Sequence, residues 1–243
     1  MDHLIYTAVS GATRSLDQQV IHANNLSNVN TQGFRADLES AQAQRITGAG
    51  YNTRYLVEEK NAGVDLTQGH ADITGRDLDI AIRGAGLIAV HSDAGEAYTR
   101  NGLMNVNDSG ELTIGGLAVL GDSGPIILPP YKHISVGSDG TISIIPADGD
   151  VSAEQDIDRI KLVDIAAKSL HKNAQGWLVA SGRALARNDG VELEARHLEG
   201  SNVSAVSEMT ASIALTRQFE AQIKMMKVAE ELAEAGDRLL RNS

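Results

Sequence analysis

The sequence predicts an α+β protein, with N- and C-terminal helices paired as a coiled-coil-like unit and a central antiparallel all-β domain. Three observations carry this. Asp2 to about Ser27 lacks proline and holds a single glycine, with apolar residues at helical spacing. About Ser204 to Leu240 repeats that pattern over a longer span. Between them, glycine is frequent and short β-rich runs alternate with turn-forming residues.

In the first helix Asp2 reads as an N-cap. Ile5, Val9, Ala12, Leu16, Gln19, Ala23 and Leu26 step alternately by four and three, the a/d spacing of a helical seam. The helix is expected to fail in Asn28-Val29-Asn30-Thr31-Gln32-Gly33, a run of turn formers. Asn24, Asn25, Asn28, Asn30 and Gly33 suit a helix end, because Asn can satisfy orphan backbone groups and Gly tolerates left-handed geometry. Four asparagines exceed what a simple cap needs, so a mixed role in capping and partner contact is expected.

In the last helix Ala211, Ala214, Gln218, Ala221, Met225, Val228, Leu232, Ala235 and Leu239 form the corresponding seam. Ile213, Phe219, Ile223 and Met226 form a second apolar stripe on nearly the opposite side. One partner helix covers only one face, so a helix apolar on two faces points to assembly; the bland alternative folds the β-domain over the second stripe. The seam is alanine-rich and carries Gln19 and Gln218. Burying alanine contributes far less than burying leucine, so the terminal helices are expected to order fully only when neighbours arrive.

The middle of the chain reads as strands at Leu78 to Ile82, Leu87 to His91, Leu112 to Ile114, Ile134 to Val136, Ile142 to Ile145, Arg159 to Ile165 and Trp177 to Ala180. Turns at Asp93-Ala94-Gly95, Asp108-Ser109-Gly110, Asp139-Gly140, Asp148-Gly149 and Asp189-Gly190 punctuate them. Residues 34 to 70 read as a connector, with the part up to Ile46 open to a helical reading and the rest extended. The expected domains are thus 1–33 with 200–243 as a helical assembly domain, 34–70 as a connector and 71–199 as the β-domain.

Composition excludes several classes of function. The formal charge is −11 and no Lys/Arg cluster appears, which argues against nucleic acid and against anionic lipid. Aromatics make up only 3%, with Trp177 the sole tryptophan, so a large enclosed ligand pocket is not expected. The absence of cysteine removes disulfides, thiolate metal sites and cysteine nucleophiles. No long apolar stretch spans a membrane, and the N-terminus does not read as a cleavable secretory signal.

Catalytic motifs are weak. Gly84-Ala85-Gly86-Leu87-Ile88-Ala89 matches a loose dinucleotide pattern, but a strand rather than a helix is expected to follow. Asn105, Asn107, Ser109 and Gly110 echo a calcium loop whose twelfth position is Gly116 rather than a glutamate. The histidines lack ligand spacing and the Glu230, Glu231, Glu234, Asp237 cluster suits a solvated helix face. No catalytic, cofactor or metal residues are assigned.

Ala23-Asn24-Asn25-Leu26-Ser27-Asn28-Val29-Asn30-Thr31-Gln32-Gly33-Phe34-Arg35 resembles the N-terminal signature of flagellar basal-body rod and hook proteins. Leu78 to Gly86 resembles the first strand of that family's β-domain. Tyr98 to Gly102, Asp108 to Leu112 and Val119 to Gly121 resemble its hairpin, and Glu199 to Val203 with Arg217 to Ala221 its C-terminal helix. The resemblance covers nearly the whole chain except about 146 to 176. The start Met1-Asp2-His3-Leu4-Ile5-Tyr6-Thr7-Ala8 looks most like the proximal-rod members, with distal-rod or hook-type subunits the nearest alternative. Gly86-Leu87-Ile88 departs from the pattern, since relatives usually place aromatics after the glycine.

The resemblance implies a structural, non-enzymatic rod subunit that polymerises through its terminal helices into the drive shaft carrying torque to the hook. It implies export through the flagellar type III apparatus without signal cleavage, a place in the basal-body rod within the periplasm, and other rod subunits and copies of itself as partners. A soluble ligand-binding β-protein dimerised by long helices is the alternative of another class. The residues expected at the assembly interface are Ile5, Val9, Leu16, Gln19, Asn24, Asn25, Leu26, Asn28, Gly33, Phe34, Ser201, Asn202, Val203, Ile213, Gln218, Phe219, Ile223, Met225, Met226, Val228, Leu232 and Leu239.

Overall fold

A computed structural model describes residues 2–45, 55–148, 154–165, 170–182 and 184–241. Two helices, α1 (Asp2–Ser27) and α2 (Ala205–Arg241), flank a largely antiparallel β region in the chain, giving the expected α+β class. Residues divide into two compact units, one of 1–27, 38–62 and 204–243, the other of 28–37 and 63–203. No helix among the described residues is long and apolar enough to cross a membrane.

The first unit holds both helices and most of a two-stranded sheet, β1 (Asp37–Arg45) with β2 (Tyr55–Val64). The stretch read as open to helix is thus a strand. Its Ala-Gln-Ala-Gln-Arg run has local helix preference, but β2 supplies a ladder that decides the outcome, as context does for weak propensities. Residues 46–54 and the glycine of the expected Asp148-Gly149 turn lie outside the described residues.

The second unit is built on β3 (Ala71–Ile73), β4 (Ile80–Arg83), β5 (Leu87–Ser92), β6 (Gly95–Thr99), β7 (Met104–Val106), β8 (Leu112–Ile114) and β9 (Leu117–Val119). Then follow β10 (Tyr131–Val136), β11 (Thr141–Pro146), β12 (Gln155–Arg159), β13 (Leu162–Val163), β14 (Leu170–Lys172) and β15 (Leu178–Ala180). β16 (Glu192–Ala195) and β17 (His197–Glu199) complete it. The largest sheet runs β14-β15-β6-β5-β9-β8-β7, with β13 also on β5; β10-β11-β12 form a second sheet. β16 returns to pair with β4 and β17 with β3, so the last strands close on the first.

β5 shows why this region folds. Leu87, Ile88, Ala89 and Val90 are all buried. Ile88 and Val90 join a core with Ile80, Ile114 and Ile142, while Leu87 and Ala89 face a second core with Tyr98 and Leu178. Successive residues point to opposite faces, so a continuous apolar run marks a strand covered on both sides. The expected run Arg159 to Ile165 is two strands, broken at Ile160, which bridges to Gly121. Gly84-Ala85-Gly86 is a turn followed by strand β5, not a helix. The Asn107 side chain closes the β7–β8 turn by accepting from the Ser109 and Glu111 amides at 3.0 and 2.9 Å.

Candidate assembly interface

Within the first unit α1 and α2 pack together antiparallel. His22 Nδ1 hydrogen-bonds Glu208, Gln19 Nε2 donates to Thr216 Oγ1 at 3.4 Å, and Gly11 faces Gln222. A Cβ added at Gly11 would lie 2.9 Å from Gln222 Nε2, so the end of the Gln222 side chain packs against Gly11 and would shift to admit a larger residue.

On α1 the buried face only partly coincides with the expected seam. Ala12 of that seam is 6% exposed, and Ala8 and Ser15 beside it are buried, whereas Val9 and Leu16 of the seam are 43% and 46% exposed. On α2, Leu215 and Ala229 are buried, with Phe219, Gln222 and Met226 half-buried between them. Met225, Val228 and Leu232 of the expected seam are exposed, the last two at 53% and 59%, and Gln218 is exposed as well. On α2 the true seam is displaced by one position, about 100° around the axis, while on α1 it keeps buried Ala12 and half-buried Ile5, Gln19 and Leu26 of the expected seam. Ala8, Gly11, Ala12 and Ser15 supply the α1 side of it, and Leu215, Phe219, Met226 and Ala229 pack from α2, so large side chains on one helix meet small ones on the other. The second stripe divides: Phe219 and Met226 turn toward the seam, while Ile213 and Ile223 stay exposed.

Of the other expected residues on the helices, Ile5, Gln19 and Leu26 are half-buried, Asn24 is exposed and Asn25 is buried. Ser27 Oγ donates to Asn24 O at 2.8 Å. The side chain of Leu239 lies outside the described residues.

In the second unit the Asn run makes a tight turn. Asn28 O accepts from the Thr31 amide and its Oδ1 from the Thr31 hydroxyl, both at 3.1 Å. Gly33 has φ of +68°, and a Cβ there would come within 2.1 Å of the Asn101 amide nitrogen, so glycine is required twice over. The Gly33 amide donates to Glu199 O at 2.7 Å. Asn202 then ties the passing chains: its Oδ1 accepts from the Ala36 amide at 2.8 Å and its Nδ2 donates to Asp65 O at 2.9 Å. Phe34 is half-buried with Lys172 Nζ 3.9 Å from its ring centroid. Ser201 and Val203 are half-buried, and the Ser201 hydroxyl accepts from the Val203 amide at 3.2 Å.

Beneath this junction lies a cluster that local pattern did not reveal. Glu199, Arg35 and Arg100 are fully buried. Glu199 accepts from Arg35 Nη2, from Arg100 Nε at 2.9 Å and from the Gly69 amide at 2.8 Å, and Arg100 Nη2 lies 2.8 Å away as an ion pair. Arg100 Nη1 also donates to Gly84 O and Gly86 O at 2.8 and 2.9 Å. A buried carboxylate so supplied with charged donors stays paired, as desolvation demands. The cluster organises the fold; it presents no free group for chemistry on a substrate.

Comparison with known proteins agrees with this architecture. The family described as "Flagella basal body rod protein" matches residues 5–35. "Flagellar hook protein FlgE/F/G D1 domain" matches 81–144, and "Flagellar basal body rod FlgEFG protein C-terminal" matches 194–239. The flagellar basal-body rod protein FlgF of Escherichia coli (strain K12) is 37% identical over 100% of both chains, and that of Salmonella typhimurium is equally similar. The rod protein FlgG of Bacillus subtilis is 32% identical over 94% of this chain and 95% of its own. The chain belongs to the flagellar basal-body rod protein family, within which it is most like FlgF, and is a structural subunit of that rod.

Proposed function

We propose that the chain polymerises through its terminal helices, as a coiled-coil-like pair, into the proximal part of the rod, where it transmits torque without a catalytic role. The observation that supports this most is the exposure of Val9, Leu16, Ile213, Val228 and Leu232, which lie off the α1–α2 seam. Covering a half-exposed aliphatic side chain contributes on the order of 1 kcal/mol, so several such residues covered together by other rod subunits make a stable joint. Family membership supports the rod and its subunits as the partners. Export through the flagellar type III apparatus without signal cleavage, and assembly in the periplasm, are parts of the same reading. The expected domains follow it: 1–33 with 200–243 for assembly, 34–70 as connector and 71–199 as β-domain.

Leu16→Asp with Leu232→Asp tests the proposal, because both residues lie off the α1–α2 seam. The doubly substituted chain is expected to keep the helicity of the unsubstituted one by circular dichroism while failing to support rod assembly and swimming. Cells that swim normally with this variant as their only copy would sink the reading.

A further inference from the structure

The β unit contains two kinds of strand pair. Several join neighbours in the chain: β5 with β6, β7 with β8 and β9, β10 with β11 and β12, and β14 with β15. β3 and β4 instead pair with β17 and β16 from the far end, at Asp72↔Leu198 and Ile82↔Leu193. The stretch from Val191 to Asn202 closes the unit there. Val191 and Leu193 complete the larger core, and the Leu193 and Arg196 amides donate to Ser138 O and Asp79 O, both at 2.7 Å. Glu199 and Asn202 then bind Arg35, Arg100, Ala36 and Asp65.

This closure also decides how far apart the two helices are along the chain. From Ser27 to Ala205 the polypeptide runs about 180 residues, and with Gly33 bonded to Glu199 the path shortens to about a dozen, from Ser27 to Gly33 and from Glu199 to Ala205. The chance that two sites on one chain meet falls roughly as the −3/2 power of the length between them. A shortening of about fifteen-fold therefore raises the effective concentration of one helix at the other about 50-fold. The pair needs such help. α1 brings chiefly small side chains to the seam, Ala8, Gly11, Ala12 and Ser15, so little apolar area is covered. Helices draw most of their stability from the face that packs.

We propose that the junction between residues 33–36 and 199–202 is a conformational gate on the terminal helices: α1 and α2 pair stably only once 191–202 has closed the β unit. A chain is made from its N-terminus, so this segment follows every strand it joins and comes immediately before α2. Helix pairing is thus the last step, and a chain whose β unit is unfinished offers no paired helices to a neighbour.

α1 and α2 are the only helices among the described residues, so far-ultraviolet circular dichroism follows them, while Trp177 fluorescence follows the β unit. Both are read in thermal melts of the full chain, at a dilution where light scattering shows a monomer. In the unsubstituted chain the helix signal is expected to melt at or below the fluorescence midpoint. Glu199→Gln, which lies in neither helix, is expected to lower both midpoints by the same shift. Asn202→Ala, which removes the bonds to Ala36 and Asp65, takes its place if Glu199→Gln does not fold. A substitute tether is then added to the variant: Ser27→Cys with Ser204→Cys, in a chain that has no other cysteine, joined by a flexible bismaleimide. The joined chain is expected to regain the helix midpoint of the unsubstituted one while its fluorescence midpoint stays below it. A helix signal that outlasts the fluorescence in the unsubstituted chain or the variant overturns the proposal, because the helices then pair without the junction. So does a joined chain that regains no helicity, since the junction would then act otherwise than by holding the helices together.

Discussion

Glu199→Gln removes one charge from the buried cluster while keeping the side chain's size, so no cavity confuses the result. One glutamate oxygen accepts from Arg35 and the Gly69 amide, the other from Arg100 Nε, with Arg100 Nη2 paired to it at 2.8 Å. Whichever way the amide turns, its NH2 faces donors, and two buried guanidiniums lose their counter-ion. Removing one partner from a buried ion pair costs about 3–5 kcal/mol. In a unit of roughly 150 residues each kcal/mol moves the midpoint about 2–4 °C, so a fall of about 6–20 °C is expected. Thermal unfolding followed by Trp177 fluorescence reads the β unit, to which Trp177 belongs. Glu194→Gln is the control, since its pair with Arg83 at 2.5 Å lies on the exposed surface and is expected to leave the midpoint unmoved. A fall of less than about 2 °C for Glu199→Gln would refute the reasoning, because it would mean that the cluster carries no net charge dependence.

Three further substitutions probe other parts. Gly33→Ala combines a left-handed φ with a backbone collision at Asn101 and is expected to cost about 2 kcal/mol or more, read by the same fluorescence melt. Ala229→Leu overfills the helix seam and is expected to cost about 1–3 kcal/mol, seen as lost helicity by circular dichroism, whereas Val228→Leu on the exposed side is expected to be neutral. Asp139 has its pKa held below the ordinary 3.8, first by the hydrogen bond from the Thr141 hydroxyl. Its contribution is therefore complete above the ordinary value and disappears as pH falls through the lower folded one. Asp139→Asn is expected to flatten the acid limb of a urea-midpoint profile below about pH 4, with little effect on its slope near neutrality.

The helices, their limits and the β class were legible because they depend on local signals: spacing, proline absence and turn residues. The helix face was not. Periodicity identified a seven-residue repeat on each helix but did not fix which side chains turn inward: Ala12 was placed in the seam, where it is buried, while Val9, Leu16, Val228 and Leu232 were placed there and are exposed. Gly11 and Ser15 on α1, with Ala229 on α2, were the available signal, since small residues at seam spacing let backbones approach. The buried cluster was invisible for another reason. Arg35 and Glu199 are separated by 164 positions and Arg100 and Glu199 by 99, so no window of sequence links them. The same distance in sequence hid β3, β16 and β17, which exist because the two ends of the β unit pair with each other.

That meeting of distant chain has a mechanical consequence. Gly33 and Ala36 at one end of the β unit are bonded to Glu199 and Asn202 at the other, so the intervening polypeptide is a ring fastened at its neck. Tension applied to the two strands leaving the neck meets these hydrogen bonds and the Arg35–Glu199 pair first. The strands of the β unit feel load that enters by these two ends only after the fastener opens, much as a cross-link spares the loop it closes. Load that enters the β unit through these two chain ends is thereby met first at the neck, before it reaches the sheets.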